Sequence, residues 1–358
     1  MSKIALYIDS MQRGGAQRVM SVLSSHFLQY ENEVLMINDV LLNHEIEYPL
    51  ANGIKRIILE RKSNNPILNN YNRVKQLRKI VKQEKVDIIL SFLGPTNQRM
   101  LVATLGLRVK KFVSVRNDPT IEYGKGIKKI VANILFLLAD GTVFQTEEAR
   151  SYFSKRIQKK SKVIFNPVAE LFYDQKWNCA RSDIAVVGRL QPQKRPDLAV
   201  KAFAEIADEF PETKLVFYGA GELEDTIWGL SKQFEIDDRV TVYGNTNEIA
   251  KKLSESALFM MCSDFEGMPN ALMEAMAIGV PVISTDCPCG GPRSLIQNDM
   301  QGILVPCNDV ISLANALRKV LGNLMLQKDM SVRERQRAFS FRTPIILEIW
   351  DDYLKGDK

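Results

Sequence analysis

Ser263-Asp264-Phe265-Glu266-Gly267-Met268-Pro269-Asn270-Ala271-Leu272-Met273-Glu274-Ala275-Met276-Ala277-Ile278-Gly279-Val280-Pro281-Val282-Ile283-Ser284 is the stretch on which the fold turns. An apolar run ends near Cys262, a polar loop carries Glu266, and a helix is expected from near Pro269, a residue favoured early in helices. Gly279 suits a helix C-cap. A second apolar run, Pro281–Ser284, follows at once. Glu266 and Glu274 are separated by seven residues, so one carboxylate sits on the loop and the other inside the helix. Ala, Leu and Met surround Glu274, which is hard to reconcile with a solvated face. Buried carboxylates need partners, and sugar hydroxyls supply them. The N–H groups at Gly267, Met268 and Asn270 sit at the helix N-terminus, aimed at an anion or at polar hydroxyls.

The same strand-and-helix rhythm fills the chain. Strands are expected at Ile4–Asp9, Glu33–Ile37, Arg56–Leu59, Val86–Phe92, Phe112–Val115, Gly141–Phe144 and Lys162–Phe165, then at Asp183–Val187, Lys214–Tyr218, Arg239–Tyr243, Ala257–Cys262, Pro281–Ser284 and Gly302–Val305. Helices are expected near 16–30, 66–85, 97–107, 125–139, 146–156, 195–210, 221–234, 246–255, 269–278 and 309–322. Continuous Val/Ile/Leu strands fit parallel sheets covered on both faces. The 358 residues, 46% apolar and 25% charged, therefore suit two doubly wound α/β domains. The composition excludes a disordered tail, a collagen-like repeat and a coiled-coil rod. The boundary is expected between Asn166-Pro167 and Ser182, where periodicity lapses. Ligands of such sheets bind beyond the carboxyl ends of the strands, so the loops there are the place to look.

Asp9 to Arg18 runs from the first strand through Gly14 and Gly15 into a helix. That arrangement fits either close backbone approach to an anion or a plain tight turn. Val187 to Pro196 carries Arg189 and Lys194 five residues apart, able to converge on phosphates. The alternative there is a solvated basic loop. Gly219 and Gly221 flank a strand exit, and Val242-Tyr243-Gly244 repeats the pattern. These positions suit passage along a base or ribose, or turn chemistry.

Together these loops resemble the retaining nucleotide-sugar glycosyltransferases of family 4. The resemblance rests on G-R-L-x-x-x-K at Gly188–Lys194, G-x-G-E at Gly219–Glu222 and E-x7-E at Glu266–Glu274, and it runs over nearly the whole chain. It implies the GT-B fold: two facing Rossmann-like domains with a cleft between them. Residues 1–170 would bind acceptor, joined by a crossover helix within 340–358 for which Pro344–Leu354 is the candidate. Residues 171–339 would bind the nucleotide-sugar. The resemblance implies Arg189 and Lys194 on the donor diphosphate, with Gly14 and Gly15 lining it from the first domain. It implies Glu274 on the ribose and Glu266 facing the donor sugar. Many members carry a His after the fifth strand of the first domain. Here the loop reads Ser114-Val115-Arg116-Asn117-Asp118-Pro119, so Arg116 stands roughly in its place, with Asn117 and Asp118 as alternatives. Ser294 stands where an acidic residue is expected. No D-x-D sequence occurs, in keeping with a metal-independent family without cofactor.

The net charge of +6 divides unevenly. Residues 1–170 hold 27 Lys+Arg against 15 Asp+Glu, and residues 171–358 hold 21 against 27. Tyr71–Lys82 reads as an amphipathic basic helix, with Val74, Leu77, Ile80 and Val81 on one face. Lys125, Lys128, Lys129, Arg150, Lys155, Arg156, Lys159, Lys160 and Lys162 extend the charge. Such a domain suits an anionic membrane surface and a lipid-linked diphosphate. Nucleic acid lacks a supporting motif. The N-terminus lacks a signal-peptide layout, and Ile130–Ala139 is too short to span a bilayer. Five cysteines (Cys179, Cys262, Cys287, Cys289, Cys307) without C-x-x-C spacing suit a reducing compartment. The expectation is a monomeric cytoplasmic hexosyltransferase, peripheral at the inner face of the cell membrane. Its donor would be a nucleotide-sugar, UDP favoured, and its acceptor a polyprenyl-diphosphate-linked glycan of a bacterial surface polysaccharide such as capsule or O-antigen. The alternatives are a sugar-nucleotide epimerase of the same fold and a non-catalytic sugar-nucleotide-binding protein.

Overall fold

A computed structural model describes residues 2–30, 32–178 and 180–356; Cys179 and the last two residues of the expected 340–358 segment lie outside them. The chain forms two compact units, Met1–Asn166 with Leu347–Lys358, and Pro167–Ile346.

The first unit runs β1 (Lys3–Ile8), α1 (Gly15–Gln29), β2 (Glu33–Asn38), β3 (Lys55–Ile58), α2 (Pro66–Gln83), β4 (Ile88–Phe92), α3 (Gly94–Ala103), β5 (Lys110–Ser114), α4 (Pro119–Tyr123), α5 (Ile127–Phe136), β6 (Gly141–Phe144), α6 (Glu147–Ser151), α7 (Lys155–Lys159) and β7 (Ser161–Val163). Its strands form one parallel sheet in the order β3-β2-β1-β4-β5-β6-β7, with Leu6 registered between Met36 and Leu90. Burial on both faces explains why the central strands β1, β2 and β4 read as largely apolar runs.

The second unit runs α8 (Glu170–Tyr173), β8 (Asp183–Val187), α9 (Pro196–Ala204), β9 (Lys214–Tyr218), α10 (Glu224–Gln233), β10 (Val240–Gly244), α11 (Ile249–Glu255), β11 (Leu258–Met261), α12 (Asn270–Ile278), β12 (Val282–Thr285), α13 (Gly291–Leu295), β13 (Ile303–Val305), α14 (Val310–Leu321) and α15 (Leu324–Ala338). The sheet order is β10-β9-β8-β11-β12-β13. Its core gathers Phe203, Leu215, Phe217, Leu258, Met260, Ile283 and Leu317. Gly279 adopts φ 85° and ψ 32° at the end of α12, a left-handed cap that glycine adopts without steric cost.

Several local expectations need correction, among them the short helices α4, α8 and α13, which were not expected, and α9, which ends at Ala204 and not near 210. The helix expected at 97–107 occupies Gly94–Ala103, because Pro95 opens it in the first turn. The stretch 146–156 divides into α6 and α7. The helix α15 was not expected at all. Its buried positions include Gln327 and Glu334, so the inward stripe is half polar. Gln327 donates to the Val320 carbonyl at 2.8 Å, and Glu334 accepts the Val282 N–H at 3.0 Å. Full burial pushes the Glu334 carboxyl well above its ordinary range.

The last helix, α16 (Thr343–Lys355), starts in the second unit, and from Leu347 onward its residues belong to the first. Trp350 is fully buried there and stacks on Phe92 with ring centroids 5.9 Å apart. The Tyr353 hydroxyl accepts the Thr142 N–H at 2.8 Å and donates to the Lys160 carbonyl at 2.6 Å.

Candidate functional site

In each sheet the strand order reverses at one place, between β1 and β4 in the first unit and between β8 and β11 in the second. The loops beyond such a reversal diverge and leave a crevice. Gly14, Arg189, Lys194, Glu266, Gly267 and Met268, all singled out from the sequence, lie on loops next to these two points.

In the second unit the loops after β8 and β11 are tied together. The Asp264 N–H donates to the Gln193 carbonyl at 2.9 Å, and the Gln193 side chain donates to the Phe265 carbonyl at 2.7 Å. Lys194 forms an ion pair with Glu266, across 72 residues of sequence. The Ser263 hydroxyl donates to the same Glu266 oxygen at 2.7 Å, and Thr285 donates to the Ser263 carbonyl at 2.6 Å. Arg195 takes a left-handed backbone (φ 48°, ψ 53°). Its guanidinium is held by Asp197 at 2.9 Å and reaches Asp264 at 3.3 Å. A non-glycine residue in that conformation carries strain, and strain gathers where position matters. Arg189 lies on the same loop with its side chain exposed.

Glu274 is buried inside α12, and Met268 is buried on the loop before it, while Asn270 opens the helix. Gly267 is buried against α13, since a side chain at Gly291 would overlap the Gly267 carbonyl. The Ser294 hydroxyl donates to the Gly290 carbonyl at 2.7 Å, one turn back in α13.

The glycines after β9 have a structural reason. A side chain at Gly219, where φ is +148°, would fall on the Gly188 carbonyl; one at Gly221 would fall on the Leu190 carbonyl. They let the β9 loop lie on the β8 loop, and so hold the segment that carries Arg189 and Lys194. Close packing between loops is a reason for these glycines that the sequence did not offer. Tyr243 is half exposed, its ring 5.5 Å from that of Tyr218.

In the first unit Gly14 is extended (φ −169°), a conformation open to any residue, and α1 begins at Gly15 beside the β1–β4 reversal. Beyond β5, Asp118 caps α4 by accepting the Thr120 N–H at 2.7 Å and the Thr120 hydroxyl at 2.6 Å. Asn117 accepts the Asp118 N–H at 2.9 Å. Arg116 differs from both. It is buried, its guanidinium lies 4.3 Å from the centre of the Phe92 ring, and none of its three side-chain nitrogens has a hydrogen-bond partner among the described residues. Burial lowers its pKa to about 9, with Glu122 opposing the shift. Burial also pushes Glu122 up to about 7. Orphaned nitrogens on a buried cation are costly and call for an anion or polar ligand.

Sequence reasoning missed Leu93. It sits at φ 75° and ψ 149°, directly after β4 and beside the reversal, in a region nearly reserved for glycine. It also missed Asn97, whose amide bridges the Ser114 carbonyl at 2.9 Å and the Tyr123 hydroxyl at 3.0 Å. The pattern Phe92-Leu93-Gly94-Pro95 was the available signal: a strand end followed at once by a helix-starting proline. Among the described residues no group of three or more His, Cys, Asp or Glu is arranged to hold a metal ion.

Comparison with known proteins fits this layout. Residues 170–337 match the family described as glycosyl transferases group 1. Over 98% of its length the chain is 27% identical to a protein of Campylobacter jejuni subsp. jejuni serotype O:2, covering 97% of it. That protein is named GalNAc-alpha-(1->4)-GalNAc-alpha-(1->3)-diNAcBac-PP-undecaprenol alpha-1,4-N-acetyl-D-galactosaminyltransferase. Over 39% of its length it is 33% identical to the Escherichia coli UDP-Gal:alpha-D-GlcNAc-diphosphoundecaprenol alpha-1,3-galactosyltransferase, covering 37% of that protein. In fold it is similar to Anabaena HepE, solved in complex with UDP, with a TM-score of 0.83 at 16% identity, over 99% of this chain and 100% of the other. The two Rossmann-like units are those of the GT-B fold.

Proposed function

We propose that this chain, a glycosyltransferase whose residues 170–337 are of the group 1 kind, moves a sugar with retention from a UDP-sugar to a polyprenyl-diphosphate-linked glycan of a bacterial surface polysaccharide. One observation carries the donor half of this reading: Lys194, Glu266 and Ser263 meet where the β8–β11 loops part. A cation able to bind phosphate and a carboxylate able to face a sugar are thereby joined at the crevice.

In this reading the donor diphosphate lies along the β8 loop under Arg189 and Lys194. Lys194 exchanges its Glu266 partner for phosphate when the donor arrives. Glu266, still held by Ser263, then faces the sugar ring. As the bond to the diphosphate breaks, negative charge grows on the leaving group and the two cations stabilise it. Glu266 faces the positive charge left on the ring. Glu274 takes the ribose hydroxyls, while Tyr243, Gly219 and Gly221 border the base. The amides of Gly267, Met268 and Asn270 serve the sugar, and Gly14 and Gly15 line the diphosphate. No metal is required, since Arg189 and Lys194 supply the neutralising charge. Of the trio Arg116, Asn117 and Asp118, Asp118 is engaged in capping α4, so Arg116 is the group with free binding capacity; an anionic group of a substrate would satisfy it.

The acceptor half is supported by the relatives, two of which are named for diphospho-undecaprenol-linked sugars. Among the described residues no helix is long and apolar enough to cross a membrane. A monomer resting on the inner face of the cell membrane, the first unit toward the lipid, meets such an acceptor directly. The test is donor screening with purified protein, reading UDP release and product with and without a polyprenyl-diphosphate-linked acceptor. Release that rises with acceptor supports the reading. A protein that neither binds UDP nor consumes any of a panel of UDP-sugars refutes it.

A further inference from the structure

An amphipathic helix on a soluble domain normally turns its apolar stripe inward. The helix α5 does the opposite. Only Ala132 and Phe136 are buried, whereas Ile127 is 79% exposed, Ile130 59%, Val131 49% and Ile134 60%. Leu137 and Leu138 continue the stripe beyond the helix end and are exposed too. Scattered exposed apolar residues are ordinary, but a contiguous set at i, i+3, i+4 and i+7 is an interaction surface.

Its surroundings name the partner. Between Gly124 and Ala139 there are three lysines and no acid. Lys125, Lys128 and Lys129 are exposed, and so are Lys155, Arg156 and Lys159 on α7. Two bonds hold α7 beside α5: the Ser154 N–H donates to Asn133 at 2.7 Å, and Lys160 donates to the Leu137 carbonyl at 2.8 Å. Three arginines of this unit, by contrast, are engaged internally. Arg73 binds Asp39, Arg78 binds the Ala103 and Leu105 carbonyls, and Arg150 binds Glu147 and Ser161. While Lys75, Lys79 and Lys82 stay exposed on α2, six outward cations thus border the apolar stripe of α5. A second copy of the chain is a poor occupant, because a self-complementary contact would bring these lysines together. An anionic bilayer answers both features, taking the isoleucines into its acyl boundary and the lysines among its headgroups.

We infer that α5 is the membrane-docking element of this protein, lying flat on an anionic bilayer with Ile127, Ile130, Val131 and Ile134 inserted. The inference deepens the proposed function and rests on its lipid-linked acceptor.

The test is co-sedimentation of the full chain with vesicles of phosphatidylcholine alone and with phosphatidylglycerol added, at fixed salt. The chain should bind the mixed vesicles at least tenfold more tightly. Ile130→Glu with Ile134→Glu should weaken that binding by about 100-fold or more, since two large apolar side chains leave the boundary. Lys128→Gln with Lys129→Gln should weaken it by about 30-fold on the mixed vesicles and leave the neutral ones little changed. These side chains are exposed, so circular dichroism and Tm should hold; Ile127→Ser with Ile134→Ser gives a milder second variant. Unchanged binding by the isoleucine variants, equal binding to both vesicles, or loss of a dimer in sedimentation velocity would overturn the inference. No readout uses sugar transfer. A failed acceptor assay with vesicle binding intact therefore faults the proposed function and not the docking helix.

Discussion

Lys194→Met is the perturbation that most directly probes the site. Lys194 is paired with Glu266, their side chains 26% and 9% exposed. Two unit charges 4 Å apart attract by about 4 kcal/mol at an effective dielectric near 20. Desolvation takes back much of this, so the pair's net worth is about 1–3 kcal/mol. Removing the lysine leaves a buried carboxylate with Ser263 as its remaining hydrogen-bond donor of the two. Unfolding free energy in urea should therefore fall by about 1–3 kcal/mol. Turnover should fall further, because one group aimed at developing charge contributes a factor of about 10²–10³ to kcat. The double variant Lys194→Met, Glu266→Gln separates the two effects. Neutralising the carboxylate should restore most of the stability and none of the activity. Turnover would be read as UDP release under saturating donor. A single variant within threefold of wild-type turnover, or a double variant that regains turnover, would make the pair purely structural and sink the exchange of partners.

Gly219→Ala should lower stability by about 1–3 kcal/mol, because its methyl would displace the Gly188 carbonyl from a position where φ is +148°. Denaturant midpoints measure this, and the donor KM should rise as the β8 loop shifts; an unchanged midpoint refutes it. Glu122 has a folded pKa of about 7, above its ordinary 4.5. The fold thus favours the neutral carboxyl, and this stabilisation is whole below pH 4.5 and lost as pH rises through 7. Glu122→Gln should remove this part of the pH dependence, on the order of 3 kcal/mol, in urea titrations at pH 5 and pH 8; parallel curves for the two proteins would contradict it.

Strands were legible because parallel strands buried on both faces consist of uninterrupted apolar runs. Asp183–Val187, Lys214–Tyr218 and Gly141–Phe144 were read to the residue. The helix α15 was not legible, since its buried stripe alternates Met330 and Ala338 with Gln327 and Glu334. One polar atom of each is matched by a backbone group outside the helix, that of Val320 for Gln327 and of Val282 for Glu334. The same limit applies at the site. Residue types at Lys194 and Glu266 announced chemistry, but their pairing depends on β8 and β11 being neighbours in the sheet. Gly219 and Gly221 read as places for a ligand or a turn, and only the folded chain shows that they also admit the β8 loop. Arg73 read as part of an amphipathic basic helix suited to an anionic surface and is turned onto Asp39. Sequence patterns reveal which face is apolar; they do not reveal which cation finds an internal partner.

Trp350 stacking on Phe92 has a consequence for how the protein is made. All seven strands of the first sheet have been synthesised by Val163, yet the indole that covers Phe92 is added only after the whole second unit has been translated. At about 5–20 residues per second that interval is roughly 10–40 s. Throughout it the first unit is a nearly finished domain with an unplugged aromatic socket, while the outward isoleucines of α5 are already displayed. A nascent chain in that state has two adhesive surfaces and one missing stopper. Expression yield should therefore respond more to chaperone supply and elongation rate than the stability of the finished protein would suggest.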